Sequence, residues 1–424
     1  MKKLKISRST TKLPGSFHRI WAAAAVSSLG DGIYGTALPL LAFSLTRSPL
    51  VLSLVTAAEV VPWVLFGLLG GTLVDRWDRR TTMWIADLCR ATVLAVAIAG
   101  AAAGFLDFPL LVGLAFLLGI GQIGFDMAAM AYLPELLDRD QDAQLSANSR
   151  LQGTQQVVGS FIGPPLGGLL FAVGRTVPIA VDAASFLFSS LMIRSLPKTP
   201  RKPAGPRGSL LAEAKAGLSY VVHDRFLIGL SLRGAIGNFG FGMVGAVFIV
   251  FARETLHLSP SAYGAVLTLD AVGGIAGSAL GPRIAPKIGT GTALTLTALI
   301  EAAGTLCQGL STNIVEVGAS FIIFGAGFGA TMVLVPSVRG AIVPDELMGR
   351  VGAAGRLISW GTYPLGAVLG GWIAETVGLR APFIICGVLL AGTSILVGTM
   401  TSNRIVEARL AEAASLRETS AAIA

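Results

Sequence analysis

The chain has 424 residues, is 53% hydrophobic and 13% charged, and contains 53 glycines, with a mean hydropathy of +0.72; soluble domains carry about 25% charged residues. That composition excludes a soluble globular domain and points to the bilayer, where only helices and closed barrels satisfy every backbone group. The net charge of +8 lies mostly in the loops, where it sets topology, so it gives no ground for nucleic-acid binding.

Apolar runs long enough to span the hydrocarbon (about 20 residues) fall at 17–44, 50–73, 81–104, 108–131, 150–173, 177–196, 226–252, 260–282, 290–311, 314–336, 350–375 and 380–401. They predict twelve spanning helices. A basic leader precedes the first run, and no small-residue cleavage site ends that run, so it reads as a retained span. Lys and Arg gather in the leader, in the loops after spans 2, 4, 8 and 10, in the central loop and in the tail. Only Arg47, Arg175, Arg253 and Arg380 occupy the opposite loops. Both termini are therefore expected in the cytoplasm.

The basic, Pro-rich stretch "SLPKTPRKPAGPRGS" reads as a linker. It divides the chain into a bundle at 1–196, a central loop at 197–225, a second bundle at 226–401 and a tail at 402–424. Internal symmetry supports that division. "SPLVLSLVTAAEVV" from Ser48 resembles "SPSAYGAVLTLDAV" from Ser259, with Glu59 and Asp270 at matching places, and "GPPLGGLLFAVG" in span 5 echoes "GAVLGGWIAETVG" in span 11. Repeats of this kind mark a two-lobed transporter with its site between the lobes.

Between spans 2 and 3, "GGTLVDRWDRRTTMW" crowds two acids and three arginines into six residues. Gly70, Leu73, Asp75, Arg76, Arg79 and Arg80 fit the pattern G-x-x-L-x-D-R-x-x-R-R, which resembles the signature loop of the major facilitator superfamily. In span 5, Gly159, Gly163, Pro164, Gly167 and Gly168 fit G-x-x-x-G-P-x-x-G-G, which is similar to the antiporter motif of the exporter branches. "SSLGDGIYGTALPLLAFSLTRSPL" and "AYLPELLDRDQDAQLSANSRLQG" resemble the bacterial subgroup of enterobactin and macrolide exporters.

The resemblance implies an all-α membrane protein with twelve transmembrane helices in two pseudo-symmetric six-helix bundles, working by alternating access in the bacterial plasma membrane. It also implies a latch. Asp75 would face the N-terminal end of span 11 near 349–352, Arg79 would pair with Asp126, and Gly70 and Gly71 would let backbones approach closely. Taken as residues alone, the basic side chains could be ordinary positive-inside charges. The glycine row of span 5 could be plain tight packing, or it could be a moving helix contact.

Ionisable groups at membrane depth are costly and face a cavity or a partner. Asp31, Glu59, Asp270 and Glu301 fall deep in their spans, with Arg233 about a turn shallower, and are candidates for proton coupling or cargo contact. Each could instead bond only a neighbouring helix. Asp87 and Arg90, spaced i, i+3, read as a satisfied structural pair. Asp182 and Glu375 fall near the outer surface and receive no role.

By resemblance the cavity is walled by spans 1, 2, 4, 5, 7, 8, 10 and 11. Tyr34, Phe43, Trp63, Gln122, Gln155, Asn238, Phe241 and Trp360 are candidate cargo contacts, being polar or aromatic in aliphatic spans, although core packing would explain several equally well. Span 4 lacks the arginine that many drug antiporters carry there. Cys89, Cys307 and Cys386 are scattered, no metal spacing or Walker phosphate loop occurs, and no enzyme activity, metal or cofactor is expected. The expected partners are protons, lipid and a small-molecule cargo, an amphipathic drug-like compound or a siderophore. The alternatives are an importer or lipid transporter on the same scaffold, or a non-transporting receptor.

Overall fold

The computed structural model describes residues 13–66, 77–197 and 218–423, and regular structure among them is helical. The helices are α1 (Gly15–Leu45), α2 (Pro49–Phe66), α3 (Arg79–Ala103), α4 (Phe108–Leu136), α5 (Gln141–Val173), α6 (Val177–Arg194) and α7 (Arg225–Thr255). They continue as α8 (Pro260–Ile288), α9 (Thr290–Leu310), α10 (Ile314–Ile342), α11 (Asp345–Trp360), α12 (Tyr363–Thr376), α13 (Ala381–Met400) and α14 (Asn403–Ile423).

Several begin where a short acid caps the first turn. Asp78 accepts from the Thr81 amide at 2.7 Å, Asp140 from Ala143 at 2.7 Å and Asp224 from Phe226 at 2.9 Å. Within α5, Pro164 and Pro165 cannot donate to the carbonyls one turn back. The preceding turns loosen into the π-helical stretch Gln155–Ile162.

Ten of the described helices are long and apolar enough to cross a bilayer. Two of the twelve expected spans fall outside that set. In α1, Asp31 and its neighbouring serines and glycines dilute the apolar run. Span 11 breaks at Gly361 and Thr362 into α11 and α12, of 16 and 14 residues. The expected tail forms a helix instead, and Asn403 at its start bonds the Ile288 carbonyl (3.1 Å) and the Thr292 amide (2.9 Å). It thereby locks the α8–α9 turn at Gly289, whose φ of +88° suits glycine.

Packing repeats itself along the chain. α1 packs on α5 and α6, α3 on α4 and α6, and α2 on α4; likewise α7 packs on α12 and α13, α9 on α10 and α13, and α8 on α10. Across the two sets, α2 meets α12 as α8 meets α5. Arg19 bonds the Ser195 carbonyl at 2.9 Å and Arg409 pairs with Asp224 at 2.6 Å, so both ends of the described chain lie beside the α6–α7 connection. This is the terminal end of the molecule.

The buried apolar clusters are unequal along the axis. At the far end one cluster joins the two bundles, including Leu41, Leu52 and Leu114 from the first and Phe251, Val266 and Phe321 from the second. At the terminal end the clusters stay within one bundle each. The far end is thus closed by burial, the dominant favourable term in association, and among the described residues no buried cluster joins the bundles at the terminal end.

Candidate functional site

A cavity of about 640 Å³ lies between the bundles, within the size range of drug-sized ligand pockets. Asp31 and Tyr34 of α1, Glu59 and Trp63 of α2, Arg90 of α3, Gln122, Met127 and Met130 of α4, and Asp182 and Phe186 of α6 line it; Leu357 and Trp360 of α11 close the opposite side. The charged wall therefore belongs to the first bundle.

Arg90 organises that wall. Its Nη2 donates to Asp31 Oδ1 at 2.8 Å, its Nη1 stands 3.6 Å from Asp87, and its guanidinium carbon lies 3.7 Å over the Phe186 ring. A Cβ at Gly121 of α4 would come 2.6 Å from Arg90 Cγ, so the glycine makes room for the stem. The expected Asp87–Arg90 pair forms, at 3.6 Å, but it is not satisfied. Spacing along α3 brings the two side chains near each other, but the long arginine reaches across to α1, and both Asp87 oxygens lack a hydrogen-bond partner.

Asp182 is also corrected. It is 1% exposed and faces α1, because Gly30 has no side chain where a Cβ would overlap Asp182 and Ser185. Position along a span does not tell which face a residue occupies. Glu59 lines the cavity and makes no hydrogen bond or ion pair among the described residues.

The other coupling candidates lie elsewhere. Arg233 stands 3.6 Å from Glu301, donates to Thr297 and Thr331 at 2.7 Å each and to the Leu294 carbonyl; Thr331 also bonds Glu301 at 2.5 Å. This network ties α7, α9 and α10 together behind the cavity. Glu301 follows Arg90 by the same separation that relates Asp270 to Glu59, so the repeat preserves the position and inverts the charge. Asp270 does not line the cavity. It faces α10, where a Cβ on Gly325 would sit 2.8 Å from its Oδ1. Glu301→Ala strands a buried guanidinium and is expected to destabilise the fold by roughly 3–5 kcal/mol, read as a lowered melting temperature of the purified protein; an unchanged melting temperature would remove the network from the stability argument.

Of the latch residues, Gly70, Gly71, Asp75 and Arg76 lie outside the described residues. Arg79 pairs with Glu135 and approaches the Ala131 carbonyl at 3.5 Å, and Arg80 bonds the Leu196 carbonyl at 2.8 Å. The expected Arg79–Asp126 pair is not formed. Glu135 ends α4 at the level where α3 begins, whereas Asp126 lies nine residues deeper and accepts from Gln122 at 2.8 Å.

The glycine motif of α5 divides its contacts. Gly159, Gly163 and Gly167 pack against α1 at Ser28, Gly32 and Ile33, within one bundle. Gly168, turned about 100° further, meets Pro260 and Ser261 of α8. The same division recurs in α12, where Gly366 and Gly370 lie on α7 and Gly371 lies on Pro49, Leu50 and Ser53 of α2.

Glu375, given no role from sequence, also crosses the bundles, accepting from Ser48 Oγ at 2.7 Å and the Leu50 amide at 3.2 Å. It caps α2 from the other side of the far-end seam. Glu375→Ala is expected to weaken that seam by about 1 kcal/mol, as loss of a cap does, and to raise labelling of the cavity from the far end; unchanged labelling would deny it a gating role.

Among the candidate cargo contacts, Tyr34, Trp63, Gln122 and Trp360 line the cavity. Trp360 lies 6.2 Å from Tyr363, which lies 5.9 Å from Phe241, and Phe241 stacks on Phe324 and Phe328 at 6.4 and 6.3 Å. This aromatic wall of the second bundle continues from the cavity. Gln155 and Asn238 do not line the cavity; Asn238 bonds the Gly234 carbonyl at 2.9 Å. Phe43 lies under Arg253 at 6.0 Å. Sequence reasoning missed Arg90, Asp182, Phe186, Met127 and Met130. The charged pair carried a signal in its depth, but an apolar lining residue in an apolar span carries none.

Comparison with known proteins agrees with this arrangement. The sequence pattern of the family described as "Transmembrane secretion effector" matches residues 13–422. The chain is 29% identical over 380 residues to the multidrug efflux pump Tap of Mycolicibacterium fortuitum, covering 85% of this chain and 90% of that protein. It is 23% identical over 388 residues to macrolide efflux protein A of Streptococcus pyogenes, covering 88% and 93%. A bacterial homologue of the iron transporter ferroportin in an inward-facing state superposes with a TM-score of 0.74 at 13% identity, covering 91% of this chain and 98% of that one, a likeness of fold. With a family match along nearly its whole length and helices built to cross a bilayer many times, the chain belongs to the transmembrane secretion effector family of the major facilitator superfamily, multi-pass transporters of the bacterial inner membrane.

Proposed function

We propose that the protein is a proton-coupled exporter of amphipathic organic cations. The observation that carries this reading is the lining of the cavity among the described residues, where Asp31, Glu59 and Asp182 face a single lining cation, Arg90, and Glu59 makes no hydrogen bond or ion pair. An acid excess in a low-dielectric chamber attracts positive charge and repels an anion such as a catecholate siderophore. Trp63, Trp360 and the rings leading to Phe328 offer flat apolar surface for the body of the cargo, and aromatic faces also attract cations. The efflux relatives support the outward direction.

In this reading all twelve spans cross the membrane in two six-helix bundles, with termini and central loop in the cytoplasm. The described state is open to the cytoplasm and closed at the far end. Loop 70–80 latches the cytoplasmic side when the far end opens, and a proton returns as cargo leaves. The test uses energised cells preloaded with ethidium, a fluorescent lipophilic cation. Protein-dependent efflux abolished by a protonophore is expected; protein-dependent accumulation, or no protein-dependent flux, sinks the proposal.

A further inference from the structure

Asp87 is unexplained by the cavity as described. Its side chain is fully buried and does not line the chamber, and neither carboxyl oxygen has a hydrogen-bond partner among the described residues. Arg90 Nη1 stands 3.6 Å away, while Nη2 of the same guanidinium holds Asp31 at 2.8 Å. Asp31 is wet, with 42% of its side chain accessible. One guanidinium thus stands between a wet carboxyl and a sealed one and bonds only the wet one.

A carboxylate sealed from water, with an ion pair at 3.6 Å but no hydrogen bond among the described residues, is poorly compensated, whereas arginine keeps its charge throughout. The groups around the pair offer Asp87 no other cation. Asp126 on α4 is held by Gln122 at 2.8 Å, Asp182 on α6 accepts from Ser185 at 3.1 Å, and Glu59 on α2 faces the chamber. Phe186 lies flat beneath the guanidinium, and Nη1 stands 3.6 Å from Asp87, so a move of about an ångström closes a hydrogen bond to Asp87 while the ring stays beneath it.

We propose that Asp87 is a second proton-binding site, sealed from the chamber and linked to it by Arg90: positive charge arriving at Asp31 releases Arg90 to Asp87, which then gives up its proton. The O–H bond of the Asp87 carboxyl breaks, its electron pair stays on the carboxylate, and the proton leaves to chamber water past the position Arg90 vacates. When cargo departs, Arg90 returns to Asp31 and Asp87 takes a proton from whichever side the chamber then faces. Each cation bound is exchanged for one proton. The cargo-triggered half of this cycle rests on the cation-exporter reading; the Arg90 relay itself does not.

The test is infrared difference spectroscopy on the full-length protein in nanodiscs at neutral pH, reading the C=O stretch of protonated carboxylic acids. Asp87→Asn is expected to lose one such band relative to the unaltered protein. Asp31→Asn is expected to lose the same band with Asp87 intact, because Arg90 is then free to move onto it, and the double variant should lose nothing further. Adding ethidium to the unaltered protein should remove that band and release one proton per ethidium bound, with no release in either variant.

Persistence of the band in Asp31→Asn overturns the relay, as does an unchanged spectrum in Asp87→Asn. Because Asp31→Asn reads Asp87 without altering it, the test stands even where Asp87→Asn fails to fold. Bands that behave as expected while ethidium releases no proton would support the relay and sink the cargo reading alone.

Discussion

Glu59→Gln is expected to reduce gradient-driven ethidium efflux to the level of cells lacking the protein, with expression and melting temperature unchanged. Glutamine keeps the size and hydrogen-bonding capacity of the side chain and removes the charge and the titratable proton. Glu59 forms no ion pair or hydrogen bond among the described residues, so the substitution strands no buried partner and removes a charge from a low-dielectric wall. The frame that positions it is rigid. Gly119 lets α4 approach the Glu59 backbone so closely that a Cβ there would overlap the Glu59 carbonyl and come 3.0 Å from Pro62 Cγ. The carboxyl is therefore held on the chamber wall by backbone packing that the variant leaves alone. Glu59→Asp should recover part of the flux. Efflux undiminished in Glu59→Gln would remove this carboxyl from both cargo binding and coupling.

A second large effect is expected at the far-end seam. A Cβ on Gly371 would lie 2.6 Å from Ser53 Oγ, 2.7 Å from the Pro49 carbonyl oxygen and 2.8 Å from Leu50 Cα. Gly371→Val therefore cannot fit while α2 and α12 touch, and overpacking of this kind costs roughly 1–3 kcal/mol. The penalty falls only on the state with the far end closed. About 1.4 kcal/mol changes an equilibrium tenfold, so the population should shift by about fivefold to a hundredfold towards the state open at the far end. With the three native cysteines removed, Met127→Cys in the chamber should label more slowly from the terminal end and faster from the far end. Gly163→Val is the contrast. Its Cβ would overlap Gly32 within one bundle, so it should lower stability without redirecting labelling. Equal labelling in Gly371→Val and the parent protein would refute the seam as a gate.

Much of the architecture was legible from periodicity and run length. The expected span at 260–282 became Pro260–Ile288, that at 290–311 became Thr290–Leu310, and that at 380–401 became Ala381–Met400, because hydrocarbon thickness fixes the number of apolar residues and polar residues mark the ends. The pairing of Glu59 with Asp270 across the repeat was visible too, but its meaning was not. Glu59 turns into the chamber, whereas Asp270 turns towards α10. Arg79 was expected to reach Asp126 and pairs with Glu135 instead.

The sequence by itself determined that this protein lives in a bilayer, roughly where most of its spans lie, that its two halves repeat, and which few charges sit at depth. Those are local or compositional properties, set by backbone hydrogen bonding in lipid and by the length of apolar runs. Only the tertiary structure decided that Arg90 hydrogen-bonds Asp31 while it stands 3.6 Å from Asp87, that Asp182 is buried behind Gly30, and that the charged groups lining the chamber all come from one bundle. Each residue along a helix turns its side chain by about 100°. Which groups meet therefore depends on how whole helices are rotated and how closely glycines let them approach, and that is settled by packing between segments far apart in the chain.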